Sequence, residues 1–213
     1  ACVARRYGAK VVWHLRSALS GEGVDFRSRC ITRLMNRWGD AAIAIDTDVA
    51  KRFPLALPIT IVHNAALLPA SPPDPLEARK RLGLPTDCVT VGFAGFVRRQ
   101  KGWQELVAAA RILDSSDTPL QFVIMGGGVR PPSYFKTPRG RLLQLSGIVI
   151  DEESAIHNAV RDAGLEHRFT FLPFRYDTAD MYAALDILTF PNQGVGLGRP
   201  VLEAAAHGKP VIG

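Results

Sequence analysis

Asp186-Ile-Leu-Thr-Phe-Pro-Asn-Gln-Gly-Val-Gly-Leu-Gly-Arg-Pro-Val-Leu-Glu203-Ala-Ala-Ala-His-Gly-Lys-Pro-Val-Ile-Gly213 is the stretch whose reading decides the fold. An apolar run, Ile187 to Phe190, predicts a buried strand. The glycines at 194, 196 and 198 predict a loop, and Pro200 opens a short apolar-periodic helix that stops at Gly208. A second buried strand follows at Val211. Strand, glycine loop, helix and strand together form a cradle for an anion. Glycine lets the backbone approach a ligand closely, and the helix start presents free N–H groups at the positive end of its dipole. Glu203, near the first turn, is placed to accept hydroxyl groups from the same ligand, and a diphosphate joined to a ribose has both features.

Working back toward the amino terminus, the same alternation recurs. Strands are expected at Lys10 to Leu15, Ala41 to Ile45, Ile59 to Val62, Val89 to Gly95, Leu120 to Met125 and Arg168 to Leu172. Between them lie helical patterns at Arg27 to Trp38, Asp46 to Arg52, Gly102 to Leu113, Glu152 to Ala163 and Thr178 to Leu185. Ile31, Leu34, Met35 and Trp38 share one expected face, as do Trp103, Leu106, Val107, Ala110 and Leu113. Strands separated by helices imply right-handed crossovers and parallel sheets. Pro69, Pro72, Pro73 and Pro75 have the composition of a linker. Residues 129 to 150, with Pro131-Pro132 and Pro138-Arg-Gly-Arg141, read as an insertion or flexible loop.

Composition narrows the function classes. Apolar residues at 47% and charged residues at 22% fit a folded α/β chain. No run is long and apolar enough for a transmembrane span, and Ala1 carries no charged and apolar leader, so a cytoplasmic protein is expected. Cys2, Cys30 and Cys88 lack metal-type spacing and fit reduced thiols. Lys and Arg outnumber Asp and Glu 26 to 20, for a net charge of +6, which favours anionic partners. Arg29, Arg33 and Arg37 recur at four-residue steps on one helix. They form either a solvated face or a peripheral contact with an anionic membrane surface. No aromatic RNA-binding motif or helix-turn-helix pattern supports a nucleic-acid partner.

The carboxyl ends of strands in such a sheet are where ligands bind. Gly95-Phe-Val-Arg98-Arg99-Gln-Lys101-Gly102 follows one of them and ends at a helix start. It is either a solvated basic turn or a cationic loop that neutralises a diphosphate and steadies it as a leaving group. Glu203 alone is also explained by the helix dipole. His14 is either a structural histidine or a ligand-facing one. His207 suits a helix end, Gly126-Gly-Gly128 lacks a dinucleotide-binding frame, and no metal or cofactor site is expected.

The opening stretch resembles the signature of glycosyltransferase family 4, retaining enzymes of the GT-B fold. Their pattern runs from Pro-Ser through Glu-Gly-Phe-Gly-x-Pro-x-x-Glu-Ala to Gly-x-Pro-Val. Pro191-Asn192, Val195 to Ala204 and Gly208-Lys-Pro-Val211 fall into that frame. A second matching motif, Gly-Arg-Leu-x-x-x-Lys-Gly, falls on Gly95 to Gly102. The resemblance implies two Rossmann-like domains with parallel sheets, the N-terminal one largely missing. Residues 1–68 would close that acceptor-side domain, 69–88 would be a linker and short helix, and 89–213 would be the nucleotide-sugar-binding domain.

It further implies metal-independent transfer, without a cofactor, from a nucleotide diphosphate sugar to a glycan, lipid-linked or small-molecule acceptor. Lys101, with Arg98 or Arg99, would hold the diphosphate. Gly95, Asn192, Gly196, Leu197 and Gly198 would line the donor, Glu203 would bind the ribose, and His14 would face the donor sugar. Val195 stands where the family has a sugar-binding Glu, and Phe96 where it has an Arg. Those departures keep a nucleotide-sugar-binding protein without transferase activity as an alternative, along with a sugar-nucleotide epimerase. The fragment alone is expected to be inactive.

Overall fold

The computed structural model describes residues 1–17, 26–67, 70–194 and 198–213, apart from the side chain of Arg27. The expected residues Pro69, Val195, Gly196 and Leu197 lie outside the described residues. The chain divides into two compact units, Ala1–Ala65 with Val195–Arg199, and Ala66–Gly194 with Pro200–Gly213.

In the first unit the order is α1 (Cys2–Arg6), β1 (Val12–Leu15), α2 (Phe26–Trp38), β2 (Ala41–Ala44), α3 (Thr47–Lys51) and β3 (Ile59–Ile61). The strands form a parallel sheet in the order β1-β2-β3. Leu15, Met35, Ala42, Ala44, Val49 and Phe53 make its core. Asp46 caps α3 by accepting the Val49 N–H at 2.6 Å, which satisfies one orphan donor of the first turn. The sequence face of α2 is rotated from expectation. Leu34 is exposed, while Ser28 and Thr32 are buried beside Met35. Apolar spacing alone does not reveal that small hydroxyl residues take the sheet-facing positions. Arg29, Arg33 and Arg37 are exposed as expected.

The second unit carries α4 (Pro75–Leu82), β4 (Val89–Ala94), α5 (Trp103–Leu113), β5 (Leu120–Met125), α6 (Pro132–Phe135), α7 (Pro138–Leu145), α8 (Glu152–Asp162), β6 (Phe169–Leu172), α9 (Ala179–Ala183), β7 (Ile187–Thr189), α10 (Arg199–Ala206) and β8 (Val211–Ile212). All neighbouring strands are parallel, in the order β6-β5-β4-β7-β8. Consecutive strands build outward from β4 on one side, and then the chain returns to lay β7 and β8 on the other. The reversal point lies between β4 and β7, where such sheets open a crevice at their carboxyl ends.

Two layers of helix cover this sheet. Trp103, Leu106, Val107 and Ala110 of α5, with Ile156 and Val160 of α8, pack on Phe93, Phe122 and Ile124. Leu113, expected on that face, is the last residue of α5 and is exposed. On the opposite side α4, α9 and α10 enclose Val123, Leu185 and Leu188. Fully burying one such side chain stabilises the fold by about 1.5–3 kcal/mol. Residues 129 to 150, read from the sequence as an insertion or loop, include the helices α6 and α7. Each has Pro in its first turn, where the missing N–H costs no helical hydrogen bond. Among the described residues no helix is long and apolar enough to cross a membrane.

Candidate functional site

The loops after β4 and β7 meet at the reversal point, and their backbones lock together. The Gln193 N–H donates to the Gln100 carbonyl at 3.0 Å, and the Gln193 side-chain amide reaches the Glu105 carboxylate. Gly102, with φ of +79°, lies so close to Pro191 that a Cβ would stand 2.1 Å from the Pro191 carbonyl oxygen. Only glycine satisfies both the left-handed backbone and this approach. Gly95, the other end of the motif, faces Pro200 in the first turn of α10, with 3.9 Å from its Cβ position to the proline ring.

Within that turn Arg98 and Arg99 are exposed and Lys101 is half-buried. Arg98 opens a single turn of 3-10 helix, Arg99–Lys101, which ends on Gly102. The Lys101 ammonium stands over the Phe190 ring at 5.0 Å from its centroid, within the range of a cation–π contact. Burial, and then the charge of Arg98, pull its pKa below the ordinary lysine value. No carboxylate among the described residues contributes to that balance. The Lys101 ammonium makes no ion pair among the described residues, and an incoming anion would give it one.

Glu152, which sequence reasoning passed over, accepts the Arg99 N–H at 3.1 Å and the Trp103 indole N–H at 2.9 Å. One carboxylate thus fixes the basic turn to the helix after it. The signal was the Asp-Glu-Glu start of α8, which reads simply as a helix terminus. Phe96, at the family's arginine position, is exposed.

Glu203 lies in the second turn of α10, one turn beyond Pro200. Its carboxylate accepts the Tyr182 hydroxyl at 2.6 Å, and its carbonyl meets His207 Nδ1 at 2.8 Å. The His207 ring stacks on Tyr182 at 5.4 Å. Tyr182 is buried and escaped the sequence reading, although a buried tyrosine hydroxyl in a neighbouring helix calls for a polar partner. Asn192 is half-buried and turns its amide onto the Gly194 carbonyl at 2.9 Å. Gly198 is half-buried just ahead of α10. Gly196 and Leu197 lie outside the described residues.

His14 sits in the first unit. It is exposed, within β1. A cleft of about 550 Å³ opens in the second unit between the turn after β4, the loop after β5 and the start of α8, with Arg98, Arg130, Phe135, Ile150 and Gln193 among its walls. No group of three or more metal-ligating side chains is found among the described residues.

A family model described as glycosyl transferases group 1 matches residues 88–213. The D-inositol 3-phosphate glycosyltransferase of Stackebrandtia nassauensis is 32% identical over 148 residues, 67% of this chain and 30% of that protein. The 2-deoxystreptamine N-acetyl-D-glucosaminyltransferase of Streptomyces fradiae is 29% identical over 194 residues, 88% of this chain and 39% of that protein. The chain thus spans between 30% and 39% of the length of these two relatives. Among solved structures, Anabaena HepE in complex with UDP-glucose is similar with a TM-score of 0.79 at 22% identity, over 99% of this chain and 54% of that one.

Proposed function

We propose, from the premise that the chain belongs to the group 1 glycosyltransferases and has their GT-B fold, that the whole protein transfers a glycosyl group from a nucleotide diphosphate sugar. The acceptor is a glycan, a lipid-linked sugar or a small molecule, and the anomeric configuration is retained. One observation carries the reading: a cationic turn without a carboxylate of its own at Lys101 is clamped to the glycine-rich stretch at the reversal point of a parallel sheet.

Lys101, with Arg98 and Arg99, holds the diphosphate and neutralises it as the glycosidic bond breaks, which makes it a better leaving group without a metal. Gly95, Asn192 and the Gly196 to Gly198 loop line the donor. Glu203 accepts the ribose hydroxyls, and Tyr182 holds that carboxylate in one orientation. His14 lies in the part proposed as the acceptor-side domain (1–68). The linker (69–88) then leads to the donor domain (89–213). Most of the rate comes from positioning and leaving-group electrostatics. The bound UDP-glucose of HepE and the glycosyl donors implied by the relatives' names support this choice of substrate class.

The test is release of nucleoside diphosphate by the full-length protein from a panel of activated sugars with sugar, lipid-linked and aminocyclitol acceptors. Turnover that falls by about 10²–10³ in Lys101→Ala is expected. Saturable nucleotide-sugar binding with no turnover on any acceptor would instead favour a binding protein, a role compatible with Phe96 and Val195 at polar family positions. Interconversion of the sugar without transfer would identify an epimerase.

A further inference from the structure

The segment 129–150, between β5 and α8, contains Arg130, Lys136, Arg139 and Arg141 and no Asp or Glu. None of these four cations takes part in an ion pair of the described residues. The same segment holds large aliphatic side chains in water: Leu142 is 67% exposed, Leu145 87%, Ile148 72% and Ile150 56%. On α7, Leu142 and Leu145 are three residues apart and so adjacent on one face. Arg139 is three residues before Leu142, and Arg141 four before Leu145, which sets a guanidinium beside each leucine.

This display is held in place at both ends. The Thr137 hydroxyl accepts the Gly140 N–H at 3.0 Å and donates to the Tyr134 carbonyl at 2.7 Å, joining α6 to α7. At the far end the Gly147 N–H bonds the Gln144 carbonyl at 3.0 Å and the Ile148 N–H bonds the Leu143 carbonyl at 3.1 Å. That pair of bonds is a Schellman stop, and it fixes Ile148 next to the leucines. The acids that follow are engaged elsewhere. Asp151 caps α8 through the Ser154 N–H, Glu152 takes Arg99 and Trp103, and Glu153 accepts the Gly128 N–H at 2.8 Å.

We propose that this hairpin docks the protein onto an anionic lipid surface, its aliphatic residues entering the headgroup boundary and its four cations meeting lipid phosphates. Charge complementarity selects this occupant. A protein partner or a second copy would meet cations that make no ion pair among the described residues, with Arg130 standing over the Tyr134 ring, whereas an anionic bilayer offers negative charge at its surface and hydrocarbon below it. The hairpin leaves the carboxyl end of β5, the same edge of the sheet that carries the basic turn. Arg130, Ile148 and Ile150 also wall the cleft beside the basic turn, whereas Arg139, Arg141, Leu142 and Leu145 lie outside it.

Sedimentation of the full-length protein with vesicles tests it. Vesicles of phosphatidylcholine with roughly 30 mol% phosphatidylglycerol should bind at least about tenfold more tightly than phosphatidylcholine alone. Leu145→Ser with Ile148→Ser, and separately Arg139→Glu with Arg141→Glu, should each weaken binding by about tenfold. Arg29→Glu with Arg33→Glu on α2 should leave it unchanged. The proposal is overturned by no binding, by equal binding to both vesicles, by either hairpin variant binding like the parent, or by loss in the α2 variant. Binding to heparin with none to vesicles, undiminished by Leu145→Ser with Ile148→Ser, would assign the face to soluble polyanions and overturn it as well.

Discussion

The ammonium of Lys101 stands 5.0 Å from the centroid of the Phe190 ring, which ties the cation of one loop to the residue that ends the β7 run and leaves its charge unanswered. Burial and the charge of Arg98 hold the lysine pKa below its ordinary value. An anion at the site stabilises the charged lysine, so binding raises that pKa again and takes up a proton where the free protein has begun to lose one. Affinity for a nucleoside diphosphate should therefore be greatest at neutral pH and fall as pH climbs toward the ordinary lysine value of about 10.4. Lys101→Arg, which stays charged throughout, should bind with little change over the same range. Calorimetric titration from about pH 7 to about pH 10 measures both. Identical pH profiles for the two proteins would remove Lys101 from the anion site.

Gly102 and Gly83 both have positive φ, but only Gly102 is crowded, its Cβ position lying 2.1 Å from the Pro191 carbonyl oxygen while Gly83 has nothing within 4 Å. Gly83→Ala should cost about 1 kcal/mol, the left-handed penalty alone. Gly102→Ala adds a backbone clash that pushes the loops after β4 and β7 apart, and should cost about 3 kcal/mol. Urea denaturation reads both values. It should be paired with nucleotide affinity, which Gly102→Ala lowers and Gly83→Ala leaves alone. Equal costs would mean that the two loops are not in contact.

Tyr182 holds Glu203 through a hydrogen bond of 2.6 Å. Tyr182→Phe keeps the buried ring and its stacking on His207 but removes the hydroxyl that donates to Glu203. The expected loss of stability is about 1.5 kcal/mol, the lower end for a bond to a charged group because Glu203 is half-buried. In the proposed reaction the KM for the nucleotide sugar should rise several-fold with kcat nearly unchanged, as for a residue that positions a ribose acceptor. A fall in kcat at constant KM would place Glu203 at the reacting sugar instead.

The alternation of apolar runs with helical periodicity made the parallel sheets legible, because a strand covered on both faces must be apolar almost throughout. Gly102 and Gly208 punctuated the chain where expected, and the basic turn was visible as a cluster of adjacent cations. Contacts between residues distant in sequence were not visible. Tyr182 with Glu203 and Glu152 with Trp103 are pairings set by the packing of helices, and no local pattern announces them. Segment 129–150 was obscured for another reason: its prolines read as breakers, although at the first turn of a helix they interrupt nothing.

Arg79 and Asp186 show the same limit and carry the last prediction. Arg79, only 5% exposed, donates to Asp186 at 2.6 Å, to the Thr90 hydroxyl at 2.9 Å and to the carbonyls of Ala184 and Cys88. It thereby joins α4, inside the stretch expected to be a linker and short helix, to β4 and to the entry of β7. Burial works against the Asp186 charge, but the Thr90 N–H and hydroxyl together with Arg79 outweigh it and hold the pKa below 3.8. A depressed carboxyl stabilises the fold above its unfolded pKa, and that share is lost as pH falls through the lower folded value. Stability of the parent should therefore drop on acidification below pH 3.8, and Asp186→Asn should lose less over the same interval, while Asp40 and Asp180, also depressed, keep some acid sensitivity in both. Arg79→Met, which strands the partners of a buried guanidinium, should cost about 3 kcal/mol at neutral pH. Urea melts of the three proteins at neutral and acid pH provide the comparison, and parallel acid losses in the parent and Asp186→Asn would show that this carboxylate does not support the fold.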